Sequence, residues 1–439
     1  MSRLLSHRTV LARLDGERLA ATGRAPRPSA LVVLELDHWH ELHCSRGGGV
    51  QRQVLREAAR RLQQSLRVHC DEPDGAGTLG QVDDAGFLVV LRGVEQEGEV
   101  ASVVGALQAA LRAPYATDQG PVQLTASAGM VLVSESHRCA ADAFGDAMAA
   151  LSVARSRGPG ASVRFDGTLQ QQLAHRFETV SALREALEAG NFRLHFQPIV
   201  ALDTPTLLGF EALVRWPQPD GTLLAPSTFI GLAERSGLIV DLDRWVLEAA
   251  CRQLKSWQLR REIAEGITVS VNISGLHFGR ADLLSTIDRS LRAAGLYGRS
   301  LVVEITESAI MENAPFTRDM LSQLRALGVR VSIDDFGTGY ASLANLRQFD
   351  VDALKIDTSF VSRIDVDEES REIVKMIVAL AHGLGKRVIA EGIETPAQEQ
   401  TLRHLGCRLG QGFHFARPME AEAVSRYLRT SRNDDLFTL

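Results

Sequence analysis

The chain has no long apolar run. No stretch approaches the length of a membrane span, and the N-terminal MSRLLSHRTVLARLDGERLAA carries charges where a signal peptide would be continuously apolar. It also has no closely spaced cysteines. Cys44, Cys70, Cys139, Cys251 and Cys407 are odd in number, scattered and free of any CxxC pair, which speaks against a disulfide framework and for free thiols in a reducing compartment. Nor is there an excess of positive charge: 48 Lys and Arg against 54 Asp and Glu leave a net −6. That excludes the basic surface of a non-specific nucleic-acid binder, although a small phosphate ligand stays open because a bound metal supplies charge locally. The expectation is a cytoplasmic protein with neither a membrane nor bulk nucleic acid as partner. What is present, 439 residues at 45% hydrophobic and 23% charged, suits two or three globular domains.

Residues 1–170 read as an α+β domain. Leu4, Leu5, Leu11, Leu14 and Leu19 fall at helical spacing, and the strand ALVVLELD leads through the polar WHELHCSRGGG into the helical VLREAARRLQQSLR. A strand pair around LGQVDDAGFLVVL, a helix over Val100–Leu111, the strand QLTASAGMVLV and the helix ADAFGDAMAALSVARSRG follow. Residues 171–190 read as a helical connector. Over 191–435 eight apolar segments recur: RLHFQPIV, LLGFEALVRW, ITVSVNIS, SLVVEITES, VRVSIDDF, ALKIDTSF, RVIAEGIE and GCRLGQGF, most of them separated by helical stretches. This pattern predicts a (β/α)8-type barrel. The linker ALDTP between the first two strands is too short for a crossover helix and predicts an antiparallel, irregular first strand.

Polar residues fall at or near the C-terminal ends of these strands: Glu211, Asn272, Glu304, Asp334 with Asp335, Lys355, Glu391 and Gln411. In a (β/α)8 barrel those ends converge on one face, so residues far apart in sequence share a pocket. A single acid at a strand end is more often a helix cap or a solvated loop charge. Recurrence decides against that reading, since caps prefer Ser, Thr, Asp and Asn and do not favour Glu and Lys. Carboxylates gathered in one pocket need cations to neutralise them, and hard oxygen ligands in this number suit two ions of Mg²⁺ or Mn²⁺. The adjacent pair Asp334–Asp335 would then bridge the ions and bind the second, with Gly337 and Gly339 letting both carboxylates turn inward.

EALVR (211–215), VNIS (271–274), EITE (304–307), DDFGTGYASL (334–343), KID (355–357), EGIE (391–394), QGFHFARP (411–418) and FQPIV (196–200) resemble, in order, the EAL domain of cyclic di-GMP phosphodiesterases. Ala341 stands where that family usually has Ser. The resemblance implies Glu211, Asn272, Glu304, Asp334, Asp335 and Glu391 as metal ligands. It implies Lys355, with Asp335 and Glu391, in catalysis, and Gln197, Arg215, Asp357 and Gln411 along the substrate, Arg215 pairing a phosphate by its planar fork. Glu307 and Glu394 would support the DDFGTGYASL loop. The implied product is linear pGpG, and a homodimer is the implied assembly.

Residues 1–170 resemble a GGDEF domain in layout, through DAMAALSVARSRGPGASVRF and SAGMVLV, but DDAGF (83–87) stands where that signature belongs, with Ala85 and Gly86 in place of its two acids. Glu35 replaces a further acid, while Asp37 and His38 remain. Cyclase activity is not expected. The domain is either a module binding GTP or another small ligand or, the favoured reading, a dimerising and docking domain. His40, His43 and Cys44 fall at i, i+3 and i+4 and would share a helix face, yet no second ligand pair follows to complete a zinc site. Two alternatives to the phosphodiesterase remain: a receptor that binds cyclic di-GMP without cleaving it, and an enolase-like barrel enzyme, which would not need a second adjacent Asp.

Overall fold

The computed structural model describes residues 4–20, 28–69, 77–94, 96–204, 206–311, 313–338 and 343–433. The chain divides into two compact units, Met1–His175 and Arg176–Leu439. Among the described residues no helix is long and apolar enough to cross a membrane.

The first unit runs β1 (Leu5–Ser6), α1 (His7–Ala20), β2 (Ser29–Leu36), α2 (Trp39–His69), β3 (Gly77–Gln81), β4 (Gly86–Arg92), α3 (Glu97–Arg112), β5 (Ala126–Val133), α4 (Ala140–Arg157) and β6 (Ser162–Arg164). Its six strands form one sheet in the order β1-β3-β4-β2-β5-β6. Strand β2 lies antiparallel between β4 and β5. It is continuously apolar because both of its faces are covered: Val32 and Leu34 enter one core cluster, Leu31 and Val33 the other. Two expectations are corrected here. Leu5 belongs to a two-residue strand paired in parallel with β3, too short to leave a periodic signal. The polar WHELHCSRGGG is already helical from Trp39, and Gly47, at φ 74, kinks the helix rather than preceding it.

Helix α5 (Gly167–Ala189) carries the chain into the second unit. There follow β7 (Arg193–Ala201), β8 (Thr206–Pro217), β9 (Leu223–Leu224), α6 (Pro226–Ser236), α7 (Ile239–Leu259), β10 (Thr268–Asn272), α8 (Gly275–Phe278), α9 (Leu283–Ala294) and β11 (Leu301–Thr306). The unit continues with α10 (Glu307–Met311), α11 (Ala314–Ala326), β12 (Arg330–Phe336), α12 (Leu343–Gln348), β13 (Ala353–Ile356), α13 (Thr358–Val361) and α14 (Glu368–Gly383). It ends with β14 (Arg387–Ala390), α15 (Pro396–His404), β15 (Leu409–Gly410), β16 (Met419–Glu420) and α16 (Ala421–Asn433).

All eight expected strands form and close a barrel. Strands β8 and β10 to β15 are parallel to their neighbours, whereas β7 pairs antiparallel with both β8 and β15, so the first strand is the irregular one. The two-residue β9 and β16 extend the sheet beyond the ring. Because successive side chains alternate, each strand lines the barrel with every second residue. Ile199, Ala353, Ile389 and Leu409 pack together as an apolar plug. The next inward positions toward the barrel mouth are Gln197, Lys355, Glu391 and Gln411, one alternation away from each plug residue. The plug is therefore a dry floor for a polar ring.

The turn after β14 makes a demand only glycine meets. Gly392 sits at φ 69, and a Cβ there would run into the side chain of Thr358. Gly392→Ala is expected to destabilise the second unit by about 1–3 kcal/mol, read as a lower urea midpoint with unchanged slope.

Candidate active site

Register sets the ring. Asn272 pairs laterally with Glu304, Glu304 with Ser332, Thr306 with Asp334, and Gln197 with Glu211, so neighbouring strands lift their polar residues to nearly one height. At the centre lies Lys355, completely buried. Its Nζ stands 2.5 Å from Glu391 Oε1, 2.7 Å from Glu304 Oε2, 3.1 Å from Asp334 Oδ1 and 3.8 Å from Glu211 Oε1. Burial alone would depress this ammonium, but the carboxylates of Glu211, Glu304, Glu391 and Asp334 hold its pKa well above the usual lysine range. Glu304 shows the converse. Burial, with Glu211 and Asp334 adding to it and Lys355 opposing, pushes its carboxyl up to about 8. Burial likewise raises Glu391, again against the pull of Lys355.

Amides complete the ring. Asn272 Nδ2 donates to Glu211 Oε1 at 2.7 Å. The buried Gln411 Nε2 donates to Glu211 Oε2 and, at 2.9 Å, to Gln197 Oε1, while Gln197 Nε2 donates to the Ala416 carbonyl at 3.0 Å. Eight of the candidate residues are thus brought together: Gln197, Glu211, Asn272, Glu304, Asp334, Lys355, Glu391 and Gln411.

Asp335 joins them through a backbone irregularity. Between β12 and β13 the register jumps from Ile333↔Leu354 to Phe336↔Ile356, so two residues on β12 oppose Lys355 alone, a β-bulge. Regular alternation would send Asp335 outward. Instead Asp335 adopts φ 53, in the left-handed region that asparagine and aspartate tolerate best among non-glycine residues. One carboxylate oxygen each from Asp334, Asp335 and Glu391 then lie within 4.8 Å of one another. The turn to the barrel mouth is made by Asp335 itself. Gly337 follows at φ 103, whereas Gly339, Tyr340, Ala341 and Ser342 lie outside the described residues. Partial desolvation, then Asp334 and Asp357, raise the Asp335 carboxyl above its ordinary value.

The remaining candidates surround this ring. Asp357 caps α13 by accepting from Ser359 N at 3.0 Å and faces Asp335. Arg215 shares the face of Glu211 four residues further along β8, and its Nη1 donates to the Val214 carbonyl at 2.9 Å. Glu307 Oε2 accepts from Gly337 N at 3.0 Å, a direct tie to the loop after Asp335. Glu394 differs. Its backbone N–H donates to Gln398 Oε1 at 2.7 Å, but among the described residues no hydrogen bond or ion pair joins its carboxylate to that loop. A cleft of about 340 Å³ opens beside Asn272, Asp334 and Asp335, with Val214, Ile230 and Val246 among its apolar walls.

The donor set is all oxygen, from carboxylates and amides, which fits a hard divalent cation such as Mg²⁺ or Mn²⁺. Glu304 Oε1 is a buried acceptor without a donor among the described residues, as expected of a group awaiting a cation. Sequence reasoning passed over Asp243, which lies beside the cleft. Its signal was available: Ile239, Leu242, Asp243 and Val246 place an acid on the apolar stripe of α7.

In the first unit the acids are differently placed. Asp37 Oδ1 accepts from Ser127 Oγ at 2.7 Å, and its Oδ2 from Thr125 Oγ1 at 2.6 Å and Gly160 N at 2.8 Å. Glu35 pairs with Arg155 at 3.2 Å. The DDAGF stretch forms the β3–β4 hairpin, where Asp83 Oδ1 accepts from Ala85 N at 2.9 Å. His43 Nδ1 bonds Gln51 Oε1 at 2.8 Å, while Cys44 Sγ lies 3.6 Å from His40 Nε2.

Residues 180–418 match the EAL domain family, and residues 1–160 the diguanylate cyclase GGDEF domain. The chain is similar to the cyclic di-GMP phosphodiesterase NbdA of Pseudomonas aeruginosa, 37% identical over 92% of this chain and 50% of the relative. It is also similar to the bifunctional diguanylate cyclase/cyclic di-GMP phosphodiesterase MucR of the same organism, 33% identical over 91% of this chain and 57% of the relative. This chain spans about half the length of such curated relatives. Among solved structures, the PaMucR phosphodiesterase in complex with c-di-GMP is 41% identical and covers 56% of this chain and 99% of its own, with a TM-score of 0.54.

The raised carboxyls give a pH prediction. Below its folded pKa of about 8 Glu304 is neutral, so a cation held there would have to displace its proton, as it would at the likewise raised Glu391; above that pH the charged carboxylate would bind directly. Apparent Mn²⁺ affinity is expected to rise between about pH 6 and pH 8, with proton release measured by calorimetry in buffers of different ionisation enthalpy.

Proposed function

Since the chain belongs to the EAL domain family, we propose that it hydrolyses cyclic di-GMP to linear pGpG. The observation that carries this reading is the convergence of Glu211, Glu304, Asp334 and Glu391 on the buried Lys355 Nζ, all within 4.0 Å. Glu211, Asn272, Glu304, Asp334, Asp335 and Glu391 would hold two ions of Mg²⁺ or Mn²⁺. Such ions lower the pKa of water and offset the charge that builds on a phosphate under attack.

This chain's own residues supply the rest. Lys355 orients the attacking water and balances the carboxylates around it. Asp335, exposed at the mouth and with a raised pKa, accepts the water's proton as its oxygen bonds to phosphorus and the phosphorus–O3′ bond breaks, the departing O3′ taking a proton from solvent at the open mouth to become the 3′-hydroxyl of pGpG. Arg215 reaches a phosphate by its fork. Gln197, Asp357 and Gln411 line the remainder of the substrate, and Glu307 holds the loop after Asp335 in register with the site. An enolase-like alternative has no use for the bulge that turns a second aspartate inward.

For the first unit we propose a docking or dimerising role without cyclase activity. Asp37 already accepts three protein hydrogen bonds, and the hairpin carries Ala85 and Gly86 where acids would be needed. A homodimer and cytoplasmic location are part of the same reading.

Incubation with Mn²⁺ and cyclic di-GMP, followed by chromatography for pGpG, tests the proposal. Turnover is expected; tight binding without product would establish the receptor reading instead. Glu211→Ala and Asp334→Asn are each expected to reduce kcat by about a thousandfold or more, and Lys355→Ala to reduce it by about a hundredfold with substrate affinity within a few-fold of the original. Wild-type turnover in Asp334→Asn would rule out its bridging role.

A further inference from the structure

We propose that Asp243 is a positioning residue that fixes Asn272 for cation binding, an inference that rests on the metal-site reading above. Asp243 projects from α7 and is only 5% exposed. A buried carboxylate is costly unless its oxygens are satisfied, so its partners indicate its task. All of its described partners lie just beyond the end of β10. Asp243 Oδ2 accepts from Ser274 N at 3.1 Å and from Ser274 Oγ at 2.7 Å, and the wholly buried His277 presents Nδ1 at 3.3 Å.

Capping the short helix α8 does not account for this arrangement. Ser274 already caps α8, its Oγ accepting from His277 N at 3.2 Å. The carboxylate instead immobilises Ser274, two residues after Asn272. Between them, Ile273 N donates to the Glu304 carbonyl at 2.9 Å. The segment carrying Asn272 is thereby held from β11 on one side and from α7 on the other. Asn272 is itself exposed at the barrel mouth and, among the described residues, its side chain is tied only through Nδ2 to Glu211, so its side-chain oxygen can face a cation only if the backbone below is fixed.

The same clamp reaches the second half of the site. Gly275 packs so closely on α10 that a Cβ there would lie 3.0 Å from Ala309 Cβ. Helix α10 begins with Glu307, which holds Gly337 N. Asp243 therefore steadies, through α8 and α10, the backbone at Gly337, two residues after Asp335.

The test uses the full chain with Asp243→Asn, Ser274→Ala and, as a comparison, Asp282→Asn. Asp282, at the start of α9, pairs with Arg244, the neighbour of Asp243 on α7, but lies outside the ring. Mn²⁺ affinity by calorimetry is expected to fall about 10–100-fold in Asp243→Asn and less in Ser274→Ala, and to stay unchanged in Asp282→Asn. Hydrogen exchange over residues 272–278 of the metal-free protein is expected to quicken in the first two variants only. With cyclic di-GMP, kcat should fall while KM stays constant, and excess Mn²⁺ should restore it. Wild-type Mn²⁺ affinity in Asp243→Asn, or an equal loss in Asp282→Asn, overturns the positioning role alone. If Asp243→Asn does not fold, Ser274→Ala decides by the same measurements. A wild-type chain that takes up no Mn²⁺ overturns the metal site and this inference with it.

Discussion

The second unit is organised around the repulsion of its own carboxylates. Glu211, Glu304, Asp334, Asp335 and Glu391 crowd one end of a barrel, where low dielectric and like charge both favour protonation. Among the described residues Lys355 is the single ammonium that contacts four of them, and that contact favours its charged form. The apolar plug beneath denies the ring solvation from below, and the amides of Asn272 and Gln411 donate to the two oxygens of Glu211. When all five carboxylates are ionised one ammonium does not balance them, so the ring is then short of positive charge. The proposed cations would offset that deficit, which distinguishes the ring from a buried salt bridge.

Much of this was legible in the sequence because a parallel barrel writes its site at regular intervals. Each strand is a short apolar run, and the polar residue near its end falls on the inward face by parity. The irregular first strand was announced by its short linker, but irregularities within an element escaped. Both aspartates were expected at the site, but nothing in VSIDDF announces that a bulge at Asp334–Asp335, rather than the glycines after it, turns the second one inward. The two-residue strands β1, β9 and β16 carry no period. Asp243 was readable in principle, as an acid on an apolar stripe, but its partners come from a segment some thirty residues further along.

The two units use carboxylates in opposite ways. In the first, Asp37 is saturated by a backbone N–H and two hydroxyls, and Glu35 is paired with Arg155. Such acids serve as internal struts, their hydrogen-bonding capacity consumed within the protein. In the second, Glu304 retains, among the described residues, a buried oxygen without a donor, and Asp335 joins the ring while exposed at the barrel mouth. Composition alone does not separate the two cases. The local count of donors against acceptors does.

The irregular strand β7 closes the ring, and it does so with the far end of the chain. Val200 pairs with Gly410, and Gln197 meets Gln411 214 positions away. On a ribosome the first strand of the barrel is synthesised early and must wait, with one edge open, until nearly the whole unit has emerged. An exposed edge is a template for unwanted pairing, and contacts this distant in sequence are slow to form. Chemistry and topology therefore mature together. The glutamine that ties Glu211 into the ring arrives only with the strand that seals the barrel, so no partly made chain displays a finished site.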